Sequence, residues 1–463
     1  MSMRPLMVLG CTSNAGKSLL VTALVRWFRR QGADVAPFKA QNMSNNARVV
    51  TGGEIGVAQW LQARAAGVVP TVDMNPVLLK PEGDTRSQVV VGGRMRPDLT
   101  DMPWRERGPH LWPEIEAAYA RLSDRHDLVL IEGAGSPAEI NLEDLVNNRV
   151  LEMADASAVL VADIDRGGAF AHLYGTWALV PESTRARLAG FVLNRFRGEE
   201  SLLAPGPADL AAMTAMRAVG VLPMLDHHLP DEEGASISGR PPDGAPVVAV
   251  VRAPFASNLD EFHLLSWASR MHWATAPSDL ERAHLVILPG SKHVAADRAW
   301  MRERGLDTAL QEYVRHGRKV LGICGGAMLA GSTVTDPDGL EGATDGLSLL
   351  PMRTQIQPDK LTTESSTTFP ALPEPWSALT GLTARGYEIR NGRISGEACQ
   401  VGEGLWVEGP VMATTTHGLL EDPAVLEALT GHRPEPVVEE TFEMLADAVE
   451  EHLDMDFLTN LVT

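Results

Sequence analysis

The chain alternates between short apolar runs and longer amphipathic stretches, and this alternation continues through most of its 463 residues. Apolar runs between helical patterns predict a parallel, doubly wound α/β sheet, because strands covered by helices on both faces are apolar on both faces. The amphipathic stretches Leu19–Arg30 and Trp112–Leu122 predict two of the helices. In the first half of the chain, the predicted strands are Leu6–Gly10, Val35–Lys39, Leu128–Glu132, Ala158–Asp163 and Phe191–Asn194.

A Gly-, Pro- and Ser-rich segment interrupts this pattern at 234–246, with the sequence GASISGRPPDGAP. Such a composition predicts a linker. A second α/β pattern begins after it, with predicted strands at Val247–Val251, Leu285–Pro289 and Val320–Ile323. We therefore expect two α/β domains, 1–233 and 247–463, joined by a linker at 234–246.

The composition narrows the range of environments and partners. Hydrophobic residues make up 44% of the chain and charged residues 22%, so the chain can form ordinary cores, and no apolar run reaches the ~18 residues of a membrane span. A formal net charge of -20 argues against nucleic acid or an anionic membrane as partner. Three cysteines and no signal-peptide cleavage region favour the reducing cytoplasm. The oligomeric state stays open, a homo-oligomer included.

Residues 7–24, MVLGCTSNAGKSLLVTAL, form a phosphate-loop pattern with one residue more than the usual spacing. A predicted strand precedes the loop and a helix follows it, which is the context in which backbone N–H groups converge on an anion. Lys17 would reach the β- and γ-phosphates, and the Ser18 hydroxyl would bind Mg²⁺. A chance Gly-Lys-Ser turn is the alternative, which this context disfavours. We expect ATP to contact Thr12, Ser13, Asn14, Ala15, Gly16, Lys17 and Ser18.

Charged residues end several predicted strands, at the sheet edge where α/β proteins bind ligands. Glu132 directly precedes a Gly-Ala-Gly turn and is the first candidate for holding Mg²⁺, with Asp163 as a further candidate. Lys39 is placed to bind a substrate carboxylate or the transferring phosphate, and Arg166 to neutralise a carboxylate. Each of these residues has a structural alternative, as a turn residue or a solvated strand end.

The second half contains a candidate nucleophile in KVLGICGGAML, where Cys324 follows an apolar strand and precedes two glycines and a helix. A sharp strand-to-helix turn exposes the side chain, and the helix N-terminus lowers the pKa of a thiol. We expect Gly325, together with Gly290 of ILPGSK, to supply oxyanion-hole amides, and His417 to act as general base. A buried, inert cysteine is the alternative, and Cys11 and Cys399 are interpreted in that way.

Six motifs then follow one another in an order that resembles the cobyric acid synthase family: PFKAQNMSNN, GGEIGVAQWLQARAAG, DMNPVLLKP, SQVVVGGR, IEGAGSPAEINL and VADIDRGGAFAHLYGT. The resemblance covers nearly the whole chain. It implies a phosphate-loop domain similar to dethiobiotin synthetase, followed by a class I glutamine amidotransferase domain. It also places Asn42, Asn45 and Glu54 in segments that lie near the substrate in this family.

The resemblance implies an ATP- and glutamine-dependent amidation of a corrinoid. The expected substrate is (adenosyl)cobyrinic acid a,c-diamide, whose b, d, e and g carboxylates would be activated as acyl phosphates with Mg²⁺ and ATP. Cobyrinic acid a,c-diamide synthase, which amidates two carboxylates, is the alternative within the class. A non-catalytic phosphate-loop nucleotide switch is the alternative from another class, although such switches carry a second lysine early in the loop.

The second half departs from related enzymes at three places. Many class I amidotransferases carry a glutamate two residues after the catalytic histidine, where this chain has Leu419, so the sequence shows no third member of a triad. Ala327 and Met328 occupy the places of an aromatic residue and a glutamine, and Arg390 that of a histidine. These changes leave the nucleophile and base in place but alter the expected glutamine pocket.

Overall fold

The computed structural model describes residues 3–83, 86–141, 144, 146–230, 237, 239–396, 398–435 and 438–463. Residues 231–233 of the predicted first domain, and 234–236 and 238 of the predicted linker, lie outside the described residues. In the part of the chain that the structure describes, no helix is long and apolar enough to cross a membrane.

Among the described residues, the first domain contains twelve strands: β1 Leu6–Gly10, β2 Val35–Phe38, β3 Gln41–Met43, β4 Ala47–Val50, β5 Gly53–Gly56, β6 Val77–Pro81, β7 Ser87–Val91, β8 Arg94–Met95, β9 Leu128–Glu132, β10 Ser157–Asp163, β11 Leu188–Phe196 and β12 Arg217–Pro223. Its helices are α1 Lys17–Arg30, α2 Val57–Ala66, α3 Pro97–Thr100, α4 Gly108–Ser123, α5 Asn148–Met153, α6 Ala169–Leu179, α7 Glu182–Arg185 and α8 Gly206–Thr214.

The central sheet of this domain has the strand order β12-β11-β10-β1-β9-β2, and all its neighbouring strands are parallel. Side chains of β1 alternate between two cores, with Met7 and Leu9 on one face and Leu6 and Val8 on the other. Both faces are buried, which explains the apolar strands, and the predicted doubly wound parallel sheet is confirmed. A smaller sheet, β3-β6-β7-β8, and the hairpin β4-β5 stand beside it.

The second domain contains a second α/β sheet, with strand order β15-β13-β16-β18-β25-β24-β23 and a separate four-stranded sheet β20-β19-β21-β22. Its strands are β13 Val247–Val251, β14 Ala256–Ser257, β15 Arg270–Ala274, β16 Leu285–Leu288, β17 Gly290–Ser291, β18 Lys319–Ile323, β19 Thr333–Thr335, β20 Thr344–Asp345, β21 Arg353–Thr368, β22 Thr383–Ser395, β23 Gln400–Gly402, β24 Leu405–Glu408 and β25 Val411–Thr414. Its helices are α9 Leu265–Ala268, α10 Val294–Glu303, α11 Leu306–Arg315, α12 Gly325–Ala330 and α13 Pro423–Thr430.

Two final helices, α14 (Val438–His452) and α15 (Met455–Val462), pack on the first domain, although they follow the second domain in the chain. Phe442 and Leu445 of α14 lie in the same hydrophobic core as Leu20 of α1, and Arg26 Nε donates a hydrogen bond to Glu443 Oε1 at 2.9 Å. The predicted domain 247–463 stays a prediction, and the contacts of these two helices bear on where its end should be placed. Their apolar faces are buried against α1 of the first domain.

Replacing Phe442 by Ala should lower the free energy of unfolding of the first domain by about 3–5 kcal/mol, because a fully buried ring leaves a cavity. The measurement is denaturant unfolding, following the transition that ATP shifts. Glu440→Ala, an exposed change on the same helix, is the control and should change stability by less than ~0.5 kcal/mol. Equal midpoints for the Phe442→Ala variant and the parent would contradict this packing assignment.

Candidate active site

The phosphate loop connects β1 to α1 and is shaped by left-handed backbone conformations. Asn14 has a φ of 58° and Gly16 a φ of 100°, and a Cβ on Gly16 would lie 1.9 Å from Nδ2 of Asn194. Asn194, at the end of β11, donates to the backbone carbonyl of Ala15 at 2.9 Å and so fixes the loop. The residue before the lysine therefore has to be glycine, both for its conformation and for the close approach of Asn194.

The lysine and serine of the loop reach two different groups across the sheet edge. Lys17 Nζ donates to the carbonyl of Gly135 at 3.1 Å, within the turn that follows β9. Ser18 Oγ donates to Oε1 of Glu132 at 2.8 Å. The structure therefore brings the loop, Ser18 and Glu132 together, as the sequence predicts.

Glu132 is 1% exposed, and its charge is balanced by residues from several elements. Lys39 Nζ, directly after β2, lies 2.8 Å from Oε1. Gln62 Nε2 of α2 donates to Oε2 at 2.6 Å, and Gln59 Nε2 approaches the same oxygen at 3.5 Å. Both oxygens of this buried carboxylate therefore accept hydrogen bonds from neighbouring side chains.

A pocket of about 340 Å³ opens at this edge of the sheet and contains most of the residues predicted to bind nucleotide. Lys39 and Asn42 line it beside the loop, and Asn42 Nδ2 donates to Oε1 of Gln59 at 3.1 Å. Arg195 and His227 line it from the other side. The predicted nucleotide residues that line the pocket are Ser13, Asn14, Gly16, Lys17 and Ser18, whereas Thr12 and Ala15 are not among its lining residues.

Asp163 and Arg166 pair with each other instead of facing this pocket. Arg195 Nη1 donates to Oδ2 of Asp163 at 3.0 Å, and Nε of Arg166 is 3.3 Å from the same oxygen. Neither Asp163 nor Arg166 is among the described residues that line the pocket. Asp163 thus holds Arg195, which does line it, and the expected direct roles of Asp163 with a metal and Arg166 with substrate have no support in the contacts.

Oxygen ligands suited to Mg²⁺ are present where the sequence predicts them. Ser18 offers a hydroxyl and Glu132 a carboxylate, 2.8 Å apart at the pocket. Mg²⁺ binds through one or two such protein oxygens and completes its octahedron with phosphate oxygens and water. The described residues contain no group of three or more His, Cys, Asp or Glu side chains arranged for a metal.

Asn45 and Glu54 are not among the described residues that line the nucleotide pocket, and their expected place near the substrate stays a prediction. Asn45 lines a small cavity beside Cys324. Glu54 is 1% exposed and forms ion pairs with Lys80 of its own domain and Lys360 of the second domain. Both residues therefore belong to the contact between the domains.

Cys324 sits on a strained turn between β18 and α12, with φ 51° and ψ -103°. Its side chain is 4% exposed and lines the small cavity together with Met328 and Arg390. A non-glycine residue with positive φ is costly, and such strain is characteristic of nucleophile elbows. The thiol Sγ donates to the backbone carbonyl of Ile389 at 3.7 Å, and Cys324 is close enough to His417 to raise the pKa of the imidazole.

Gly290 and Gly325, the predicted oxyanion residues, both lie next to this pair. A Cβ on Gly290 would be 2.7 Å from Cε1 of His417, and a Cβ on Gly325 would be 2.5 Å from the backbone nitrogen of Ser291. Only glycine fits at either place. The two turns therefore meet at the nucleophile, and their role as donors to an oxyanion stays a prediction.

A third member of the catalytic group comes from a distant part of the sequence. Oε1 of Glu261 lies 2.9 Å from Nδ1 of His417, and Oε2 accepts the backbone N–H of Gly418 at 2.8 Å. Glu261 and His417 are both at most 1% exposed. The arrangement is thus Cys-His-Glu, with a third member that was not visible in the sequence.

Electrostatics at this centre favour a charged imidazole. Burial by itself lowers the pKa of His417, but Glu261 and the Cys324 sulfur more than compensate, and the pKa rises to about 10. At neutral pH the histidine is therefore protonated and can stabilise a thiolate on Cys324. The ordinary pKa of a histidine is 6.5. The interaction of protonated His417 with Glu261 therefore contributes fully to the stability of the fold below pH 6.5, and this contribution is lost as pH rises through about 10.

Met328 and Arg390, two of the residues that depart from related enzymes, contact the wall of the small cavity beside Cys324. The Met328 thioether packs against Gly392, where a Cβ would be 2.3 Å from the Met328 methyl group. Arg390 donates to Glu388 at 2.6 Å and to the carbonyl of Gly392 at 2.6 Å. These contacts hold both side chains against β22, next to the nucleophile.

Comparison with protein families matches each half of the chain. Residues 6–234 match the CobQ/CobB/MinD/ParA nucleotide binding domain, and residues 247–425 match the CobB/CobQ-like glutamine amidotransferase domain. Together with the two centres described above, these matches define the protein as a glutamine-hydrolysing, ATP-dependent amide ligase.

Full-length relatives specify the family. A cobyric acid synthase of Variovorax paradoxus is 50% identical and is matched over 100% of both chains. Those of Leptothrix cholodnii and Paracidovorax citrulli are each 49% identical, covering 99% and 97% of this chain and 97% of each relative. The chain belongs to the cobyric acid synthase family, which confirms the resemblance in the sequence motifs.

Sequence patterns missed several residues that complete the two centres. Gln59 and Gln62 are three positions apart on α2 and therefore lie on one face of the helix. This spacing was the sequence signal that could have indicated a shared partner. Glu261 had no comparable signal, because it is 156 positions from His417 and follows no periodic pattern.

Replacing Glu261 by Gln should lower kcat for glutamine hydrolysis, on the order of 10-fold to 100-fold, because the imidazolium loses its partner charge. Loss of that charge also lowers the pKa of His417, so the alkaline limb of the pH profile should move to lower pH. Initial rates of glutamate release across pH measure both effects. Glu408→Gln, an exposed change on β24, is the control. An unshifted alkaline limb would show that Glu261 does not set the charge of His417.

Proposed function

We propose that this enzyme amidates the b, d, e and g carboxylates of (adenosyl)cobyrinic acid a,c-diamide, using ATP and ammonia released from glutamine. The observation that carries the proposal is the presence of two complete centres on one chain. One combines a phosphate loop with Ser18, Glu132 and Lys39, and the other is the Cys324–His417–Glu261 group. Relatives matched over their full length are named cobyric acid synthases, which supports the corrinoid as substrate.

In the first centre, ATP phosphorylates a substrate carboxylate, and ammonia then displaces phosphate from the acyl phosphate to give the amide. Lys17 and the loop amides neutralise the transferring phosphoryl group. Lys39 lies next to Glu132 at the pocket wall, where its ammonium can attract the substrate carboxylate. Mg²⁺, held by Ser18 and Glu132, would supply charge neutralisation at the β- and γ-phosphates.

In the second centre, the Cys324 thiolate attacks the side-chain carbonyl of glutamine. His417 gives its proton to the departing nitrogen, so ammonia leaves and a thioester remains. His417 then takes a proton from water, and the resulting hydroxide attacks the thioester. Glutamate leaves with its carboxyl proton lost to solvent, and the Cys324 thiolate beside the protonated His417 is restored. Glu261 holds the imidazole ring in position through these proton transfers.

We also propose a revised division of the chain. The described residues 6–230 and 438–462 form the synthetase unit, and 247–435 form the amidotransferase unit. The packing of α14 and α15 on α1 supports this division. A cytoplasmic location is part of the proposal, supported by three free and buried cysteines.

Mass spectrometry of the corrinoid after incubation with ATP, Mg²⁺ and ¹⁵N-amide glutamine tests the substrate and the number of amides. Four labelled amides on the a,c-diamide are expected, whereas an enzyme that accepts cobyrinic acid and adds two amides would be the a,c-diamide synthase. Lys17→Ala is the control variant and should form no amide from glutamine or ammonium. If the Lys17→Ala variant forms the same product as the parent, the phosphate-loop assignment is wrong. If the parent forms no labelled corrinoid, the proposed function is wrong.

Cys324→Ser should abolish glutamine hydrolysis while amidation with ammonium salt continues, because the synthetase centre lies in the other domain. The rate with ammonium should rise with pH, since only unprotonated ammonia attacks an acyl phosphate. Product formed with glutamine and with ammonium is measured side by side, with Cys399→Ser as the matched control. Retained glutamine-dependent activity would show that Cys324 is not the nucleophile. Loss of both activities would contradict the division of labour.

A further inference from the structure

A segment of the first domain docks directly on the turn that carries Glu261. Asn258 Oδ1 accepts the backbone N–H of Ala47 at 3.1 Å, and Asn46 Oδ1 accepts the backbone N–H of Leu259 at 2.9 Å. Asn46 and Asn258 are 3% and 4% exposed, so these bonds form in a dry contact. Reciprocal amide-to-backbone bonds fix the position of one segment against the other.

Arg48 continues this contact towards the catalytic histidine. Its guanidinium, 5% exposed, forms ion pairs with Asp260 and Glu421 of the second domain. Nη1 donates to the hydroxyl of Tyr387 at 2.7 Å, and the guanidinium lies over the Tyr387 ring, 5.0 Å from its centroid. One rigid, planar group thus holds three side chains of the other domain.

Each of these contacts is adjacent to a group that touches His417. The Tyr387 ring stacks on the imidazole, with centroids 5.4 Å apart and planes at 17°. The backbones of Tyr387 and His417 exchange hydrogen bonds at 3.1 and 2.8 Å. Asp260 directly precedes Glu261, the partner of His417 Nδ1. The imidazole is therefore held on two sides by residues that Arg48 fixes.

We propose that Arg48, which belongs to the synthetase domain, is a positioning residue for the glutaminase centre. The assignment of His417 in the proposed function underlies it. Arg48 contributes no atom to the reaction. It keeps Tyr387 and the Asp260–Glu261 turn in the places that align the imidazole with Cys324, so the amidotransferase centre is complete only when the synthetase domain is docked.

The charge balance of this contact explains why an arginine is needed. Asp260, Glu261 and Glu421 bring three carboxylates close to one another, and burial together with Glu261 raises the pKa of Asp260 despite Arg48. A cation among them counters their mutual repulsion. A lysine would supply the positive charge but not the planar, forked set of N–H donors of a guanidinium. Its ammonium therefore cannot bind a carboxylate and the Tyr387 hydroxyl together in a fixed geometry.

Two conservative variants of the full chain separate positioning from folding. Arg48→Lys keeps the buried charge, and Tyr387→Phe keeps the ring stacked on His417 while removing its hydroxyl. Each should lower kcat for glutamine hydrolysis, by on the order of 10-fold to 100-fold for a misplaced catalytic group. KM for glutamine should change less than about threefold, and ammonia-dependent amidation should stay within about twofold of the parent.

The double variant Arg48→Lys/Tyr387→Phe tests whether the two residues act together. Because both changes break one hydrogen bond, the double variant should be about as slow as the slower single variant. Arg64→Lys is the matched control: Arg64 lies over Trp60, as Arg48 does, but pairs with the exposed Glu439. It should leave glutamine hydrolysis within about twofold of the parent.

The outcomes separate this proposal from the assignment of the nucleophile. Single variants that keep parental kcat, or a double variant whose effects multiply, would overturn the role of Arg48. Loss of ammonia-dependent amidation together with glutamine hydrolysis would also overturn it, since the residue would then serve the fold in general. Cys324→Ser, measured in parallel, reports on the nucleophile itself and leaves the Arg48 contacts intact.

Discussion

The burial of charged carboxylates decides which parts of this chain must meet. Glu132, Glu261 and Glu54 are each at most 1% exposed, and an unpaired ion at such depth costs several kcal/mol. Each therefore requires donors from other elements: Ser18 and Lys39 for Glu132, and His417 for Glu261. Residues that we propose to take part in the two reactions, such as Ser18, Lys39 and His417, are among these donors. The charge balance that stabilises the interior thus also places the reactive side chains.

The sequence was most informative where a function follows from a local pattern. Strand β1, the phosphate loop and Cys324 were predicted correctly in position, because a turn between strand and helix leaves a short-range signature. Contacts between distant segments left no such short-range signature in the sequence. An amphipathic helix such as α14 shows that one face is buried but not which element covers it, so its packing on α1 could not be predicted from the sequence. Glu261 was missed for the same reason.

The segment around β3 and β4 links the two centres over a very short distance in sequence. Asn42 lines the nucleotide pocket, whereas Asn45, three positions later, lines the cavity beside Cys324. The motif that contains both was interpreted as near the substrate, and the structure divides its residues between the two centres. Asn42 lies in β3 whereas Asn45 lies in the bend between β3 and β4, so the change of chain direction lets nearby residues reach different sites.

The packing of α14 and α15 has a consequence for synthesis of the protein on the ribosome. Helix α1 needs them to cover Leu20 and Leu24, yet they follow the whole amidotransferase domain in the chain. At roughly 5–20 residues per second, that interval is on the order of tens of seconds. For this time the first domain presents an uncovered apolar groove, to which chaperones can bind. The amidotransferase domain can therefore reach its native fold before the domain that precedes it.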